Sequence, residues 1–560
     1  MTTTIAKQKI DEAATTTEPI APQSLMVWFA ALFILNLLLR VFYLRYQFVN
    51  GDEAVRALTA VNLLDGGRLY ADIVTDKPPG TTFFYAGVFA VFGKNMAALH
   101  LVAALWHFLT SMVLYFTAAR IYSKRAGLWA ALFSIYFSAS YLTQDMMAAN
   151  TELLMALPLA ASFSLYVYSL QKQGKATAIS ALLLFAVGAL TGIAALFKQL
   201  GIFNVALFVF SEAFFVYRLR QSESFFPALK QSLIRLLLIA CGLLAVCLAL
   251  VLWLTSLHTL TDFWRYVFVM NKFYVGALSP SLWLTYLVSR SFAYVAFNLP
   301  LWLLAGWAVK RAVADFRSPT ANQQIFLQAP LLAWAGVSLV AVFAGGRFLG
   351  HYFLQLVPAL AILAAQGAQL LVINFRNETT RRKATILLVV LSVCLLVNLV
   401  RFHRRTAILA YETVSGQPTT ASQQWGMSQR EAEAAIIASK VRERLQAGES
   451  LYIWGYGLDV YWRSDCRPAT RFITPNHITG AFEGAGGDIA EASHPFWAES
   501  RRLFLEDLQN NRPPLILDVT GELASLPYTE IKEFLETHYR RNGEIGIDAA
   551  RPFIVYERLK

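Results

Sequence analysis

The sequence alternates long apolar runs with short polar segments from about residue 25 to residue 402, and this alternation limits what the chain can fold into. A helix needs about 20 mostly apolar residues to cross a bilayer. Runs that reach or approach this length lie near 25–46, 96–118, 127–143, 150–170, 177–197, 200–217, 232–256, 282–308, 329–346, 351–373 and 384–402. The sequence therefore predicts a polytopic α-helical membrane protein with about 11 to 13 transmembrane helices.

The pattern changes after residue 402, where the chain reads like an ordinary soluble protein. The segments 450–455 (SLYIWG), 514–519 (PLILDV) and 551–558 (RPFIVYER) predict strands, and helical patterns run near 428–446, 497–510 and 529–537. These observations divide the chain into an N-terminal tail (1–24), a membrane domain (25–402) and a small C-terminal α/β domain (403–560).

Positive charge in the short loops predicts the orientation. The formal net charge is +12, which in a soluble protein would suggest nucleic acid, but basic residues in short loops orient membrane helices. With the N-terminus inside, every inner loop is basic. These loops carry Arg120, Lys124, Arg125, Lys172, Lys175, Arg218, Arg220, Lys230, Lys310, Arg311, Arg317, Arg376, Arg381, Arg382 and Lys383.

This orientation predicts a cytoplasmic tail and no nucleic-acid partner. It also predicts multi-pass insertion in the cytoplasmic (inner) membrane, where lipids surround the chain. The outer face then holds a large first loop (47–95), a second long segment (257–281) and the soluble domain.

The first outer loop contains the strongest candidate residues. Asp52 and Glu53 follow the first apolar run and precede a helical pattern, so they read either as an acidic helix start or as a general base near the membrane surface. Lys77 precedes two prolines, which restrict its backbone. It reads either as a snorkelling interfacial lysine or as a phosphate contact.

Other ionisable residues fall on the same predicted side of the membrane. Asp145 and Glu152 flank an outer turn and are spaced to share a helical face. The remaining candidates for donor or phosphate binding are Lys198, Arg265, Arg347, His351 and Tyr352. Arg347, His351 and Tyr352 form a cluster that is either a polar turn in an aromatic belt or a phosphate site.

No metal site is predicted. The four cysteines, Cys241, Cys247, Cys394 and Cys466, have neither metal-ligand nor disulfide spacing. A divalent cation beside the acidic residues is compatible with the sequence, although no ligand spacing requires one.

Taken together, these motifs resemble a known family. The acidic pair, the DxxxDKPPG-like first loop, the outer Lys-Gln turn and the late GRFxxHYxxQxxPA segment look like bacterial GT-C fold glycosyltransferases of family 39. This group is the superfamily of protein mannosyltransferases and aminoarabinose transferases.

The resemblance implies a polyprenyl-phosphate-sugar donor used at the outer face, with a lipid, glycan or protein as acceptor. It implies that Asp52 is the base for the acceptor hydroxyl and that Lys77 contacts the phosphate, with Arg347 as a second contact. It also implies inversion at the anomeric carbon.

Two alternatives to a transferase stay open. A transporter or flippase of lipid-linked saccharides would carry charged residues buried in mid-helix and weak symmetry between its halves. A non-enzymatic envelope assembly protein would not need Asp52 or Lys77.

Overall fold

The computed structural model describes residues 21–172, 178–220, 224–317, 323–482, 494–545 and 553–559. Nearly all of the predicted N-terminal tail lies outside these ranges, as do Lys175 and the first two residues of the segment 551–558. The helices up to the soluble domain are α1 Pro22–Leu38, α2 Gly51–Leu64, α3 Gly80–Phe92, α4 Met96–Ile121, α5 Lys124–Phe137, α6 Thr151–Gln171, α7 Ala178–Phe197, α8 Asn204–Arg218, α9 Phe225–Ser256, α10 Leu260–Phe263, α11 Met270–Gly276, α12 Pro280–Phe297, α13 Leu299–Phe316, α14 Gln323–Ala344, α15 Val357–Arg376 and α16 Glu378–Asn398.

The described residues contain nine helices that are long and apolar enough to cross a membrane, or ten if one bent pair forms a single span. That pair is α12 and α13, which meet at 88° where the sequence predicts one continuous run. Asn298 separates them, and Pro300 lies in the first turn of the second, where proline is tolerated although it disrupts a helix interior. The predicted run 127–143 is the 14-residue α5, about 21 Å long, which accounts for the rest of the difference from the eleven predicted runs.

Helices α7 and α9 cross at very close range. A Cβ atom added to Gly188 would lie 1.8 Å from the Ile239 carbonyl oxygen, and one added to Gly242 would lie 1.9 Å from that of Phe185. Small residues let helix backbones approach in a membrane, where packing rather than water exclusion drives association. Glycine at these two positions therefore allows the backbones of α7 and α9 to approach this closely.

The end of the bundle that carries the predicted inner loops is cross-linked by polar contacts. Gln171 donates to the Arg120 carbonyl at 3.2 Å, and Arg218 donates to that of Phe316 at 3.3 Å. Close by, the buried Glu212 of α8 accepts from Arg235 of α9 at 2.6 Å. This end carries basic residues of the predicted inner loops and lies at the far end of α6 from Glu152.

A long helical segment connects the membrane helices to the soluble domain. After α16 the chain passes through a π-helical turn (Leu399–His403) into α17 (Arg404–Ser415). The 38 helical residues together measure about 57 Å, longer than the roughly 30 Å hydrocarbon core. The C-terminal part therefore projects beyond the bilayer, and Arg45 anchors it through a 2.6 Å ion pair to Glu412.

The soluble domain is built on a five-stranded mixed sheet of order β2-β1-β3-β5-β4. The predicted strands correspond to β1 (Ser450–Trp454), β3 (Leu515–Asp518) and β5 (Phe553–Arg558), whereas β2 (Arg467–Pro468) and β4 (Tyr539–Ile545) were not predicted. β1 is parallel to β2 and β3, and β5 is antiparallel to β3 and β4. The helices are α18 Gly426–Arg442, α19 Leu458–Ser464, α20 Pro495–Asn511 and α21 Thr529–His538.

The C-terminal domain shares hydrophobic packing with the predicted outer loops of the membrane domain. Trp462 of α19 packs edge-on against Phe48, with ring centroids 5.5 Å apart. A second core joins Val74 and Tyr266 of the outer loops to Phe472 and other aromatic residues of the soluble domain. The two parts therefore meet through continuous cores.

Candidate active site

Helix α2 begins at the outer loop and presents the acidic pair. Asn50 is its N-cap, because its side chain accepts from the Glu53 backbone N–H at 3.1 Å. Asp52 and Glu53 lie in the first turn, where negative charge is favourable to the helix dipole. The acidic residues themselves are therefore not the cap.

Asp52 and Glu53 have different surroundings. The Asp52 side chain is 55% exposed and accepts from Arg56, one turn further along α2, at 2.9 Å. Glu53 is fully buried and accepts from the backbone N–H groups of Val49 and Ala149, each at 2.7 Å. It also contacts His100 Nε2 at 3.0 Å. Glu53 thus joins three segments of the chain, whereas Asp52 is open to a substrate.

Asp145 and His351 form a close pair. Asp145 Oδ1 lies 2.7 Å from His351 Nδ1. Asp145 belongs to a separate helical turn (Thr143–Met146), and Glu152 lies in α6. The expectation that the two carboxylates share the face of one helix is therefore wrong, because the chain breaks between them.

Glu152 pairs with Lys198 instead. Lys198 Nζ lies 2.5 Å from Glu152 Oε1 and 3.9 Å from the centre of the Tyr352 ring. Lys198 lies in the tight turn between α7 and α8, which the sequence predicts as a re-entry. The Lys198 ammonium therefore bridges a carboxylate and an aromatic face, an arrangement that holds a buried cation.

Lys77 lies beside its own neighbour and a tyrosine. Its Nζ is 2.5 Å from Asp76 Oδ2 and 6.0 Å from the Tyr274 ring centre. Burial alone would raise the pKa of Asp76, but the adjacent Lys77 ammonium outweighs burial and holds that pKa below its ordinary value. Both groups are therefore charged at neutral pH.

Tyr274 also contacts Arg347. The Arg347 guanidinium carbon lies 4.0 Å from the Tyr274 ring centre, and Nη2 donates to the Tyr274 carbonyl at 3.2 Å. The Tyr274 hydroxyl lies 3.2 Å from that of Tyr352. Tyr274 thus contacts both Lys77 and Arg347, and its hydroxyl links them to Tyr352, whose ring contacts Lys198.

These contacts join into one polar cluster at one end of the bundle. Arg56 donates to Asn150 at 3.3 Å, and Asn150 donates to the Asp145 carbonyl at 2.8 Å, which links Asp52 to His351. We call the set the polar cluster; its members are Asp52, Arg56, Asp76, Lys77, Asp145, Asn150, Glu152, Lys198, Tyr274, Arg347, His351 and Tyr352. Its cations, such as Lys77 and Arg347, are suited to bind a phosphate. Its exposed carboxylate, Asp52, is accessible to the hydroxyl group of a substrate.

Arg265 is a predicted site residue that the structure does not bring into the polar cluster. Its Nη2 donates to the Phe496 carbonyl at 2.8 Å, and the guanidinium lies 4.8 Å from the Phe496 ring centre. The helical segment that carries it presents Arg265 to the soluble domain, so its assignment to donor binding is corrected. Its contacts are those of a residue that attaches this segment to the soluble domain.

Four members of the polar cluster were not selected from the sequence: Arg56, Asp76, Asn150 and Tyr274. Arg56 had a usable signal, because it stands four residues after Asp52 in a helical pattern, the spacing of a helix ion pair. Asn150 and Tyr274 had none, since their roles depend on segments that meet only in the tertiary structure.

Metal binding has no visible basis in the part of the chain that the structure describes. No group of three or more His, Cys, Asp or Glu side chains there is placed to hold a metal ion. The carboxylates of the polar cluster each face a basic side chain of the protein instead.

Comparisons with known proteins agree with this architecture. Residues 76–244 match the family model described as dolichyl-phosphate-mannose-protein mannosyltransferase. No curated protein sequence matches the chain. ArnT from Cupriavidus metallidurans bound to undecaprenyl phosphate is a similar solved structure, with a TM-score of 0.56, 16% identity and coverage of 96% of this chain and 98% of that chain.

Two further structures have the same fold. ArnT in the apo state matches with a TM-score of 0.56 at 15% identity and covers 95% of this chain and 97% of that chain. The oligosaccharyltransferase AglB from Archaeoglobus fulgidus, in complex with an inhibitory peptide and a dolichol-phosphate, matches with a TM-score of 0.51 at 12% identity. It covers 92% of this chain and 72% of that chain.

The chain is thus a multi-pass membrane protein with the GT-C fold of membrane glycosyltransferases and a small C-terminal sheet domain. Within that class it resembles the superfamily of protein mannosyltransferases and aminoarabinose transferases. The resemblance and fold class predicted from the sequence are confirmed.

Proposed function

We propose that this protein is a glycosyltransferase that moves a sugar from a polyprenyl-phosphate donor to a lipid, glycan or protein acceptor. The observation that carries the proposal is the polar cluster, in which Lys77 and Arg347 flank Tyr274 while Asp52 stays exposed nearby. Two of the similar solved structures support the donor class, since one was solved with undecaprenyl phosphate bound and the other with a dolichol-phosphate.

The cations of the polar cluster suit the leaving group of this reaction. When the bond between the anomeric carbon and the phosphate oxygen breaks, its electron pair remains on the lipid phosphate. Fixed cations stabilise charge that develops there, and they act most strongly where water is excluded. Lys77 and Arg347 are the proposed contacts, and Lys198, whose ammonium lies over the Tyr352 ring, adds positive charge.

The exposed carboxylate suits the acceptor. The acceptor hydroxyl oxygen attacks the anomeric carbon, and its proton passes to Asp52 as general base. Arg56 holds the Asp52 carboxylate in place at 2.9 Å. Attack opposite the leaving phosphate inverts the anomeric centre, and neither the sugar nor the acceptor needs to be specified for this step.

We further propose that the site faces outward from the cytoplasmic membrane. The basic residues of the predicted inner loops support this orientation, because cytoplasmic loops carry an excess of lysine and arginine. Arg120 and Arg218, both from that set, take part in the contacts at the end of the bundle away from the polar cluster.

A transfer assay in proteoliposomes tests the proposal. A panel of polyprenyl-phosphate sugars and a crude envelope acceptor fraction are supplied to wild type, to Asp52→Asn and to Asp65→Asn. Asp65 is a matched control, since it is an exposed carboxylate at the other end of the same helix. We expect transfer by wild type and Asp65→Asn, and a loss of at least about 100-fold in Asp52→Asn.

The other results separate the alternatives. Equal transfer by wild type and Asp52→Asn would remove Asp52 from the reaction. No transfer from any donor, with lipid binding intact, would favour the flippase or the envelope assembly protein. The buried Glu212 and Arg235 do not by themselves favour a flippase, because they neutralise each other and Glu212 also accepts from Tyr166 and Ser232.

A further inference from the structure

The backbone on both sides of Lys77 is held by side chains from three parts of the chain. Tyr70 donates its hydroxyl to the Lys77 carbonyl at 3.0 Å. Asn271 donates to the Asp76 carbonyl at 2.9 Å, and Gln199 reaches the same carbonyl at 3.5 Å. Two prolines follow directly, so the direction in which Lys77 leaves the backbone is fixed.

The side-chain amides of Asn271 and Gln199 connect the loop that carries Lys77 to a single backbone carbonyl, that of Val267, in the helical segment that follows α9. Asn271 and Gln199 each also donate to the Val267 carbonyl at 2.8 Å. Val267 lies in the π-helical turn Trp264–Val269 between α10 and α11. Such turns are frequent at functional sites. Each side-chain NH₂ group has two donors, so each amide can join Asp76 to Val267.

This support extends into the soluble domain. Val74, three residues before Lys77, donates its backbone N–H to the Arg471 carbonyl at 2.8 Å. Arg471 is fixed in turn by a two-pronged contact to Asp507, at 2.9 and 2.8 Å. Val74 is completely buried in the core that also contains Tyr266. The Lys77 loop is therefore held between the π-helical turn and the soluble domain.

We infer that Asn271 is a positioning residue that sets the Lys77 ammonium for the donor phosphate, with Gln199 as a weaker second support. The inference rests on the proposed function, because it needs Lys77 to contact a phosphate. Both donors of the Asn271 amide are directed to backbone carbonyls, so Asn271 acts through Lys77. Without the Asn271 amide, the Asp76 peptide group loses this hydrogen bond, and the Lys77 ammonium can move away from its position.

The test measures the binding of farnesyl phosphate, a short polyprenyl phosphate, to the purified full-length protein in detergent. The variants are Lys77→Met, Asn271→Leu and the double variant. Asn374→Leu is the matched control, because Asn374 also donates to a carbonyl four residues earlier, that of Leu370 at 2.8 Å, but lies near the inner end of α15.

We expect Asn271→Leu to weaken farnesyl phosphate binding about three- to tenfold, as the loss of a hydrogen-bonded support implies, and Asn374→Leu to bind like wild type. Because Asn271 acts through Lys77, the double variant should bind no more weakly than Lys77→Met alone. If Asn271→Leu fails to fold, Gln199→Leu replaces it, with a smaller expected effect because its contact to Asp76 is longer.

The contrary results are distinguishable. Unchanged binding by Asn271→Leu, or effects of the two substitutions that multiply in the double variant, would overturn the inference and leave the proposed function standing. Wild-type binding by Lys77→Met, or no binding by wild type, would instead count against the donor site of the proposed function, and the inference would be lost with it.

Discussion

At the scale of single residues, the acidic side chains of the polar cluster each have a basic partner. Asp52 contacts Arg56, Asp76 contacts Lys77, Glu152 contacts Lys198 and Asp145 contacts His351. Charges near a membrane are costly unless they are matched. A bound lipid phosphate would therefore have to share cations that already have partners.

One glycine sets the geometry of such a pair. A Cβ atom added to Gly350 would lie 2.5 Å from Asp145 Oδ2 and 2.7 Å from the Tyr141 ring. We expect Gly350→Ala to displace Asp145 from His351 and to lower sugar transfer about tenfold or more, because a small misplacement of a site residue is costly. The measurement is initial transfer rate in proteoliposomes.

Gly306→Ala is the control for this substitution. A Cβ atom at Gly306 meets nothing within 4 Å, so this variant should transfer at the wild-type rate. Equal rates for Gly350→Ala and wild type would mean that the Asp145 and His351 contact does not matter for turnover.

At the scale of secondary structure elements, close helix contacts place the turns that carry the cluster. Lys198 follows α7 directly, and α7 is packed against α9 through Gly188 and Gly242. A shift of α7 would carry Lys198 away from Glu152. The glycines in the middle of the bundle therefore affect the position of Lys198 in the polar cluster.

We expect Gly188→Leu to destabilise the protein strongly. The added side chain would meet backbone rather than a mobile side chain, and even tolerated overpacking costs about 1–3 kcal/mol. The expected result is a lower melting temperature and less monodisperse protein on size-exclusion chromatography in detergent.

The matched substitution is Gly336→Leu in α14, another apolar helix, where an added Cβ atom meets nothing within 4 Å. It should melt close to wild type. If the two variants melt at the same temperature, the close crossing of α7 and α9 is not a source of stability.

At the scale of the whole molecule, the soluble domain and the outer loops fold around shared cores. His477 marks this junction: it lies 6.3 Å from the Tyr266 ring and 6.4 Å from that of Phe472. Only 4% of the residue is exposed. Burial lowers the pKa of His477 to about 4, so the folded protein holds this imidazole neutral.

Acid should therefore weaken the junction. As the pH falls below about 6.5, the ordinary pKa of histidine, His477 becomes protonated in the unfolded chain. In the folded chain it stays neutral until the pH approaches its lowered pKa of about 4. The free energy of unfolding then drops by about 3 kcal/mol over that interval and is restored as the pH rises. Thermal unfolding followed by tryptophan fluorescence at pH 7, 6, 5 and 4 measures this loss.

Two variants separate His477 from other acid effects. His477→Gln should show a smaller loss of stability between pH 7 and 4 than wild type, because its side chain does not titrate. His538→Gln, at an exposed histidine of the same domain, is the matched control for replacing a histidine. A profile unchanged by His477→Gln would refute the prediction.

Local sequence patterns were sufficient to predict the class of the molecule and the residue types of the site. Apolar runs of bilayer length, the compositional change near residue 402 and the acidic pair before a helical pattern are local features, and local patterns specify helices, strands and their order. They were enough to identify Asp52, Lys77 and the Arg347 to Tyr352 segment as candidates, and they supported a resemblance to a fold that the comparisons confirm.

Which of the candidate residues contact one another depends on the packing of distant segments. Asp145 and His351 are 206 positions apart, and Asn271 and Asp76 are 195 apart, so no local pattern could pair them. The same packing turned Arg265 toward the soluble domain and enclosed Glu53 between two loops and α4. Contacts between distant segments depend on how helices cross and where they break, and these are properties of packed side chains rather than of any one stretch of sequence.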